Sequence, residues 1–236
     1  MRRAGNDVAD FELLAGPSIP WPATWTAQGV IATLEPLAGH ERAAKLRAVI
    51  GKRVGSVTVL MDAPHDPHNG GAILRSCEAF GVPEVHVVPR DERFLVGRTV
   101  TRGCERWVDV VIHPSAAEAV SSLAARGFHL VATHPNGALS PEDLATLPRV
   151  ALLLGNEHSG IRHELAQAAH SSVRIPMRGF VESLNVSVAA AVLLSAATRD
   201  REGDLTLAER ELLYAKGLFH SLARARDILW AAQSPA

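Results

Sequence analysis

Cysteine is scarce in this 236-residue chain: Cys77 and Cys104 are the only two, and they form no CxxC pair. That excludes a disulfide framework and a zinc ribbon, leaving two reduced thiols as the expectation. No run of about eighteen apolar residues occurs, and no basic segment leading into an apolar stretch and cleavage site opens the chain. A spanning helix and a secretory leader are therefore not expected, and a cytoplasmic, membrane-free protein is. No GxGxxG follows an apolar run, which sets aside the dinucleotide or Rossmann methyltransferase glycine loop. His65, His68, His158 and His163 match no zinc spacing, and His163-Glu164 lacks the second histidine of HExxH, so no metal is expected. Nor does one sign of charge dominate: 24 Lys and Arg face 25 Asp and Glu, a balance that by itself gives no argument for a polyanionic partner. Internal repeats and low-complexity tracts are absent too.

What is present is ordinary globular material, 47% hydrophobic and 21% charged, enough for one well-buried domain with terminal extensions. Residues 1–53 read as a helical extension: an amphipathic stretch after Pro22, a break at Gly39, then a basic helix ending near Lys52. That helix carries Arg42, Lys45, Arg47, Lys52 and Arg53 against the single acid Glu41. A second basic concentration at 90–106 includes Arg98, Arg102 and Arg106. Taken alone, each cluster reads as a solvated face. From Ser56 the texture changes to six short apolar runs, at 56–61, 84–88, 108–112, 129–133, 150–154 and 172–175. Unbroken by polar alternation, they fit strands buried on both faces, and the segments between them have helical length and spacing. The expectation is an α/β domain over 54–199, a mostly parallel six-stranded sheet with helices on both faces. A charged break, RDREGD at 199–204, then leads into a helical C-terminal extension, 200–236, with a helical segment over Leu205–Ala232. In such sheets ligands sit at the carboxyl ends of strands, so the loops after 61, 133, 154 and 175 are the places to look.

Three of those loops carry notable residues. In the first, Asp62–Gly81, Asn69 is positioned to cap a helix whose first turn (Gly70, Gly71, Ala72) is smooth, with Arg75 in the next turn. Asn69 and Arg75 would lie about 240° apart on one helix and converge only if Asn69 stays in the loop; locally, a surface arginine is the better reading. In the second, the run VALLL delivers Gly155 at a tight turn followed by Asn156, Glu157, His158 and Ser159. In the third, an irregular loop with Arg178, Glu182, Ser183 and Asn185 precedes a small-residue apolar helix, which Ser183 or Asn185 would cap.

Taken together, Asn69-x-x-Ala72-x-x-Arg75, the LLLGNE turn and IPM-x-G-x-V-x-SLNVSVA-x-A resemble the three signature motifs of the SpoU/TrmH ribose methyltransferases, in the same order and over roughly 56–198. The resemblance implies a SPOUT-type fold with a C-terminal trefoil knot, a homodimer and S-adenosylmethionine as cofactor. Composition and periodicity do not show the knot, and ordinary topology rules argue against one. By motif position, the cofactor would lie against Thr133, His134, Leu154, Gly155, Ile175, Met177, Leu184 and Asn185. The catalytic set would be Arg75, Asn69, Glu157, Ser183 and Asn185. The segment 100–107 would face RNA, with Arg98, Arg102 and Arg106 joining Arg42, Lys45 and Arg47 on phosphates. Two departures from the pattern, Glu182 in place of a neutral Gln and two glycines after Asn69, touch substrate detail and leave the class intact.

An arginine suits this chemistry, because a ribose hydroxyl attacks only as its proton leaves or its developing oxyanion is stabilised. A guanidinium parts with its proton too reluctantly to be the base, so Arg75 is expected to orient and stabilise that oxygen. The flanking helical extensions favour a guanosine in the tRNA D-loop as target. The alternatives are ribosomal RNA, or a catalytically silent RNA-binding factor on the same fold, which the joint presence of Asn69, Arg75, Glu157, Ser183 and Asn185 opposes.

Overall fold

The computed structural model describes residues 11–13, 19–89, 95–97, 101, 103–156 and 159–233. Arg98, Arg102 and Glu157, all expected site residues, lie outside them. Contacts divide the chain into two compact units: residues 1–16 with 56–201, and residues 17–55 with 202–236.

In the first unit, strand β1 (Phe11–Leu13) pairs antiparallel with β4 (Leu95–Gly97), a two-stranded ribbon that the hydrophobic pattern does not announce. The main sheet comprises β2 (Val57–Asp62), β3 (Glu84–Val88), β5 (Asp109–Ile112), β6 (His129–Thr133), β7 (Val150–Leu154) and β8 (Ser171–Val173). Its spatial order is β5-β3-β2-β7-β6-β8, and every pairing is parallel. All six residues of β2 and all five of β7 are buried, the burial that unbroken apolar runs require. The last run is shorter than its sequence suggests: Arg174 and Ile175 have left the sheet after Val173.

Helices α3 (Pro67–Ala79), α4 (Ala116–Ala125), α5 (His163–Ala168) and α6 (Val186–Ala197) cover the sheet. Leu60, Leu130, Ala151 and Leu153 meet Ala119 and Leu123 of α4 and Leu165 of α5 in one core. α3 and α6 pack on each other. From β2 the chain moves outward to β3 and β5 on one side, whereas β7, β6 and β8 fill the other. The strand order thus reverses between β2 and β7, where Met61 lies opposite Leu154, and a crevice at such a point is where open α/β sheets hold ligands.

The second unit is wholly helical among its described residues. α1 (Ala27–Ala38) starts at Thr26, whose hydroxyl accepts the Gly29 N–H at 3.1 Å. It ends at Gly39, whose φ of +75° suits a residue without Cβ. α2 (His40–Ile50) follows directly. The C-terminal segment folds onto them instead of standing apart: Val30, Leu34, Ala43 and Ile50 share a core with Tyr214, Ala215, Leu218 and Leu229. The helical segment expected over 205–232 comprises two helices, α7 (Leu207–Ser221) and α8 (Ala225–Gln233). The break is made by Leu222 in extended conformation and Arg224 at φ +61°, neither of which continues a helix.

Candidate functional site

The carboxyl ends of β6 and β7 and the segment from Val173 to α6 enclose a cavity of about 560 Å³, a size suited to a small organic ligand. Thr133, His134, Leu154, Gly155, Ile175, Met177, Leu184 and Asn185, the eight residues expected around the cofactor, all line it. So do Glu182, Ser183 and Asn156 of the motif loops, together with Ile161, Val173 and Leu193, which motif reading did not single out.

Each wall has a local cause. Gly155 permits a backbone crossing: a Cβ there would lie 2.2 Å from the Gly160 carbonyl carbon and 2.4 Å from the Ile161 nitrogen. The turn beyond it is closed by reciprocal main-chain bonds between Asn156 and Gly160, both 3.1 Å. Asn156 Oδ1 also accepts the Ser159 N–H at 2.8 Å. On the β6 side, the His134 N–H donates to the Val173 carbonyl at 3.0 Å and the Thr133 hydroxyl to the Leu153 carbonyl at 3.0 Å.

The third wall is the start of α6. Asn185, and not Ser183, is its cap: Asn185 Oδ1 accepts the Ser187 N–H at 2.8 Å and the Ser187 hydroxyl at 2.6 Å. The Asn185 amide then donates to Asn69 Oδ1 at 3.0 Å, joining the first and third motifs across 116 residues. Asn69 is not the cap of α3, contrary to the sequence reading. Asp66 accepts the His68 N–H at 2.8 Å, and Pro67 occupies the first helical position, where its missing N–H costs nothing. Asn69 therefore sits inside the helix, and Arg75, six residues on, projects from a different face. Arg75 is exposed and does not line the cavity. Asn69, Ser183 and Asn185 are brought together; Arg75 stands apart from them within one chain.

The expected RNA-contacting cations divide likewise. Lys45 is exposed, and Arg42 is exposed with Nη1 donating to the Ser221 carbonyl at 2.8 Å. Arg47 is exposed as well but holds two partners within the chain: it pairs with Glu35, and its guanidinium lies 4.1 Å from the centre of the Tyr214 ring. The Tyr214 hydroxyl donates to the same Glu35 carboxylate at 2.9 Å. Arg106 is exposed just before β5, and Trp107 is half-buried. No helix among the described residues is long and apolar enough to cross a membrane.

The cavity suits S-adenosylmethionine. Leu154, Ile161, Val173 and Ile175 give it an apolar side, Gly155 lets main chain approach closely, and Glu182 and Ser183 add polar groups, a mixed lining that fits a cofactor with a flat ring and a charged tail. Residues 56–195 match the SpoU rRNA Methylase family. The chain is 36% identical over 162 residues to the tRNA (guanosine(18)-2'-O)-methyltransferase of Escherichia coli (strain K12), covering 68% of this chain and 71% of that protein. Among solved structures it is similar to the Aquifex aeolicus TrmH/SpoU tRNA modifying enzyme, with a TM-score of 0.69 and 28% identity over 78% of this chain and 98% of the other. It is also similar to the SpoU methyltransferase AviRb from Streptomyces viridochromogenes in complex with AdoMet, with a TM-score of 0.54 and 29% identity over 63% and 58% of the two chains. With the second and third motifs lining one cavity, the first bonded to it through Asn69, and matches of this extent, the chain belongs to the SpoU methylase family.

Proposed function

We propose that the protein transfers a methyl group from S-adenosylmethionine to the 2′-hydroxyl of a guanosine in the tRNA D-loop. The observation that carries this reading is the cavity at the ends of β6 and β7, walled by the second and third motif segments and tied to α3, which carries the first motif, through Asn185 and Asn69. The name of the Escherichia coli relative directs the assignment to tRNA guanosine. When bound, S-adenosylmethionine supplies a methyl group already activated on a sulfonium.

The protein's own part is placement. Thr133, His134, Leu154, Gly155, Ile175, Met177, Leu184 and Asn185 hold the cofactor. Asn69 and Asn185 fix the start of α3 against the cavity, while Ser183 and Glu157 line the reaction side. Arg75 donates to the ribose oxygen as negative charge develops on it. Arg42, Lys45, Arg98, Arg102 and Arg106 meet RNA phosphates, with Arg47 bracing the helix that carries the first two.

The active form is a homodimer. Leu184, Val188 and Val192 recur every four residues and are exposed, with Val181 and the fully exposed Phe180 beside them; such a stripe suits burial against a second copy. The C-terminal part of the first unit forms a trefoil knot, a reading that rests on the resemblance of the motifs to the SPOUT-type fold.

The test is methyl transfer from labelled S-adenosylmethionine to unmodified tRNA and ribosomal RNA transcripts, followed by mass-spectrometric mapping. Methylation of the D-loop guanosine ribose, abolished when that nucleotide lacks its 2′-hydroxyl, is the expected result. Label confined to ribosomal RNA, or surviving loss of the hydroxyl, would refute it.

A further inference from the structure

We infer that Asp62 and Arg162 are a positioning pair that locks the cofactor-side loop to the substrate-side helix, an inference that rests on the methyltransferase reading and deepens it. Asp62 is the last residue of β2 and is only 1% exposed. A buried carboxylate demands compensation by charge and hydrogen bonds, and Asp62 finds both 100 residues away. Its Oδ2 accepts the main-chain N–H of Arg162 at 2.7 Å, and its Oδ1 lies 2.5 Å from Arg162 Nε.

What this contact joins makes it more than a stability feature. Arg162 directly follows Ile161, which lines the cavity, and the closed turn from Asn156 to Gly160. As the residue preceding α5 it makes no side-chain cap of its own. The other partner, Asp62, begins the segment leading to α3. The next residue, Ala63, sits at φ +47°, a left-handed conformation unusual for a residue with a Cβ, and its N–H donates to the Val88 carbonyl at 2.8 Å. A non-glycine residue held in this region is strained, and its surroundings must hold it in place. A narrow cleft lined by Asp62, Asn69, Gly70, Gly155 and Asn156 separates the two segments, so their spacing sets how the cofactor and the ribose meet.

A purely structural pair would change stability alone. A positioning pair changes S-adenosylmethionine affinity and the methyl-transfer rate while leaving RNA binding intact. The experiment compares the full-length wild type with Arg162→Ala, Arg162→Lys, Asp62→Asn and the double variant Asp62→Asn/Arg162→Ala, by calorimetry with S-adenosylmethionine, single-turnover methyl transfer and tRNA binding. Arg162→Ala keeps the main-chain bond to Asp62 and removes a side chain already 35% exposed, so it tests the pair even if Asp62→Asn fails to fold. We expect Arg162→Ala to weaken cofactor binding and slow transfer by roughly 10- to 100-fold, the cost of misplacing reactants by about an ångström, with tRNA affinity unchanged. Arg162→Lys should recover part of the loss, and the double variant should be no worse than the more impaired single variant. Unchanged cofactor affinity and rate in folded Arg162→Ala, fully additive losses, or a parallel loss of tRNA affinity would each overturn the pair while leaving the methyltransferase reading intact. A wild type that binds no S-adenosylmethionine would overturn that reading, and the pair's role with it.

Discussion

Gly155→Ala adds one methyl group where two strands of backbone cross. Its Cβ would lie 2.2 Å from the carbonyl carbon of Gly160, 2.4 Å from the nitrogen of Ile161 and 2.6 Å from the Gly160 oxygen. Carbon atoms rest against one another at about 3.5 Å, so the crossing segments must separate by roughly 1 Å. Every atom met is main chain, so no rotamer change relieves the collision. Opening the turn loosens the two main-chain bonds between Asn156 and Gly160, at about 0.5–1.5 kcal/mol each, and overpacking of this kind costs about 1–3 kcal/mol in all. Function should suffer more than stability, because Leu154, Gly155, Asn156 and Ile161 form one wall of the cavity and a displaced wall no longer fits the ligand. Calorimetry should find S-adenosylmethionine binding weakened at least about tenfold, equivalent to about 1.4 kcal/mol, in a protein that still unfolds cooperatively in urea. Wild-type affinity in Gly155→Ala would refute the claim that this crossing shapes the cofactor site.

Arg201→Lys replaces a guanidinium that donates to Ser56 Oγ and to the carbonyls of Leu144, Leu147, Pro148 and Ala197 with a single ammonium. About 2–4 kcal/mol of stability should be lost in urea unfolding, and an unchanged midpoint would show that these bonds contribute nothing. Burial raises the Glu84 pKa, but hydrogen bonds from His86 and Arg126 outweigh it and hold the carboxyl at about 2. Its stabilising effect, up to about 3 kcal/mol, should be complete above about pH 4.5 and disappear as pH falls toward 2. The stability difference between wild type and Glu84→Gln should follow that curve, and a difference independent of pH would contradict it. His113, whose pKa is lowered first by burial and then by neighbouring His86, should add a loss of stability in both proteins as pH drops below about 6.5. Arg75→Lys should slow single-turnover methyl transfer by about 10²–10³ with cofactor affinity retained, and near-normal turnover would dismiss the planar-fork role. Arg106→Glu should weaken tRNA binding and lower the slope of log affinity against log salt by about 1 or more, whereas equal affinity at low and high salt would remove Arg106 from the interface.

The parallel sheet was legible because strands buried on both faces must be apolar throughout: β6 and β7 stand where HLVAT and VALLL promise, and β2 lies one residue on from the run SVTVLM. The cavity was legible because its walls are short motifs, each adjacent to a strand end. Other features leave little trace in local pattern. The β1–β4 ribbon joins two three-residue strands more than 80 positions apart. The break between α7 and α8 rests on Arg224 at φ +61°, a residue type with no turn preference. The union of the N- and C-terminal helices into one core depends on side chains such as Leu34 and Tyr214 finding each other across most of the chain, and the Asp62–Arg162 contact spans 100 residues.

The cap of α3 shows how a local ambiguity carries functional weight. Asp66-Pro67 and Asn69-Gly70 are both acceptable helix starts by residue type. Pro67 decides between them, since its ring fixes φ near the helical value and its nitrogen needs no acceptor, and starting there puts two helical residues, about half a turn, before Asn69. Had Asn69 been the cap, its side-chain oxygen would serve the N–H groups of its own helix. With Asp66 taking that duty, Asn69 Oδ1 is available to the amide of Asn185. The Asp-Pro pair thus leaves Asn69 to tie α3 to the start of α6 and the cavity it walls.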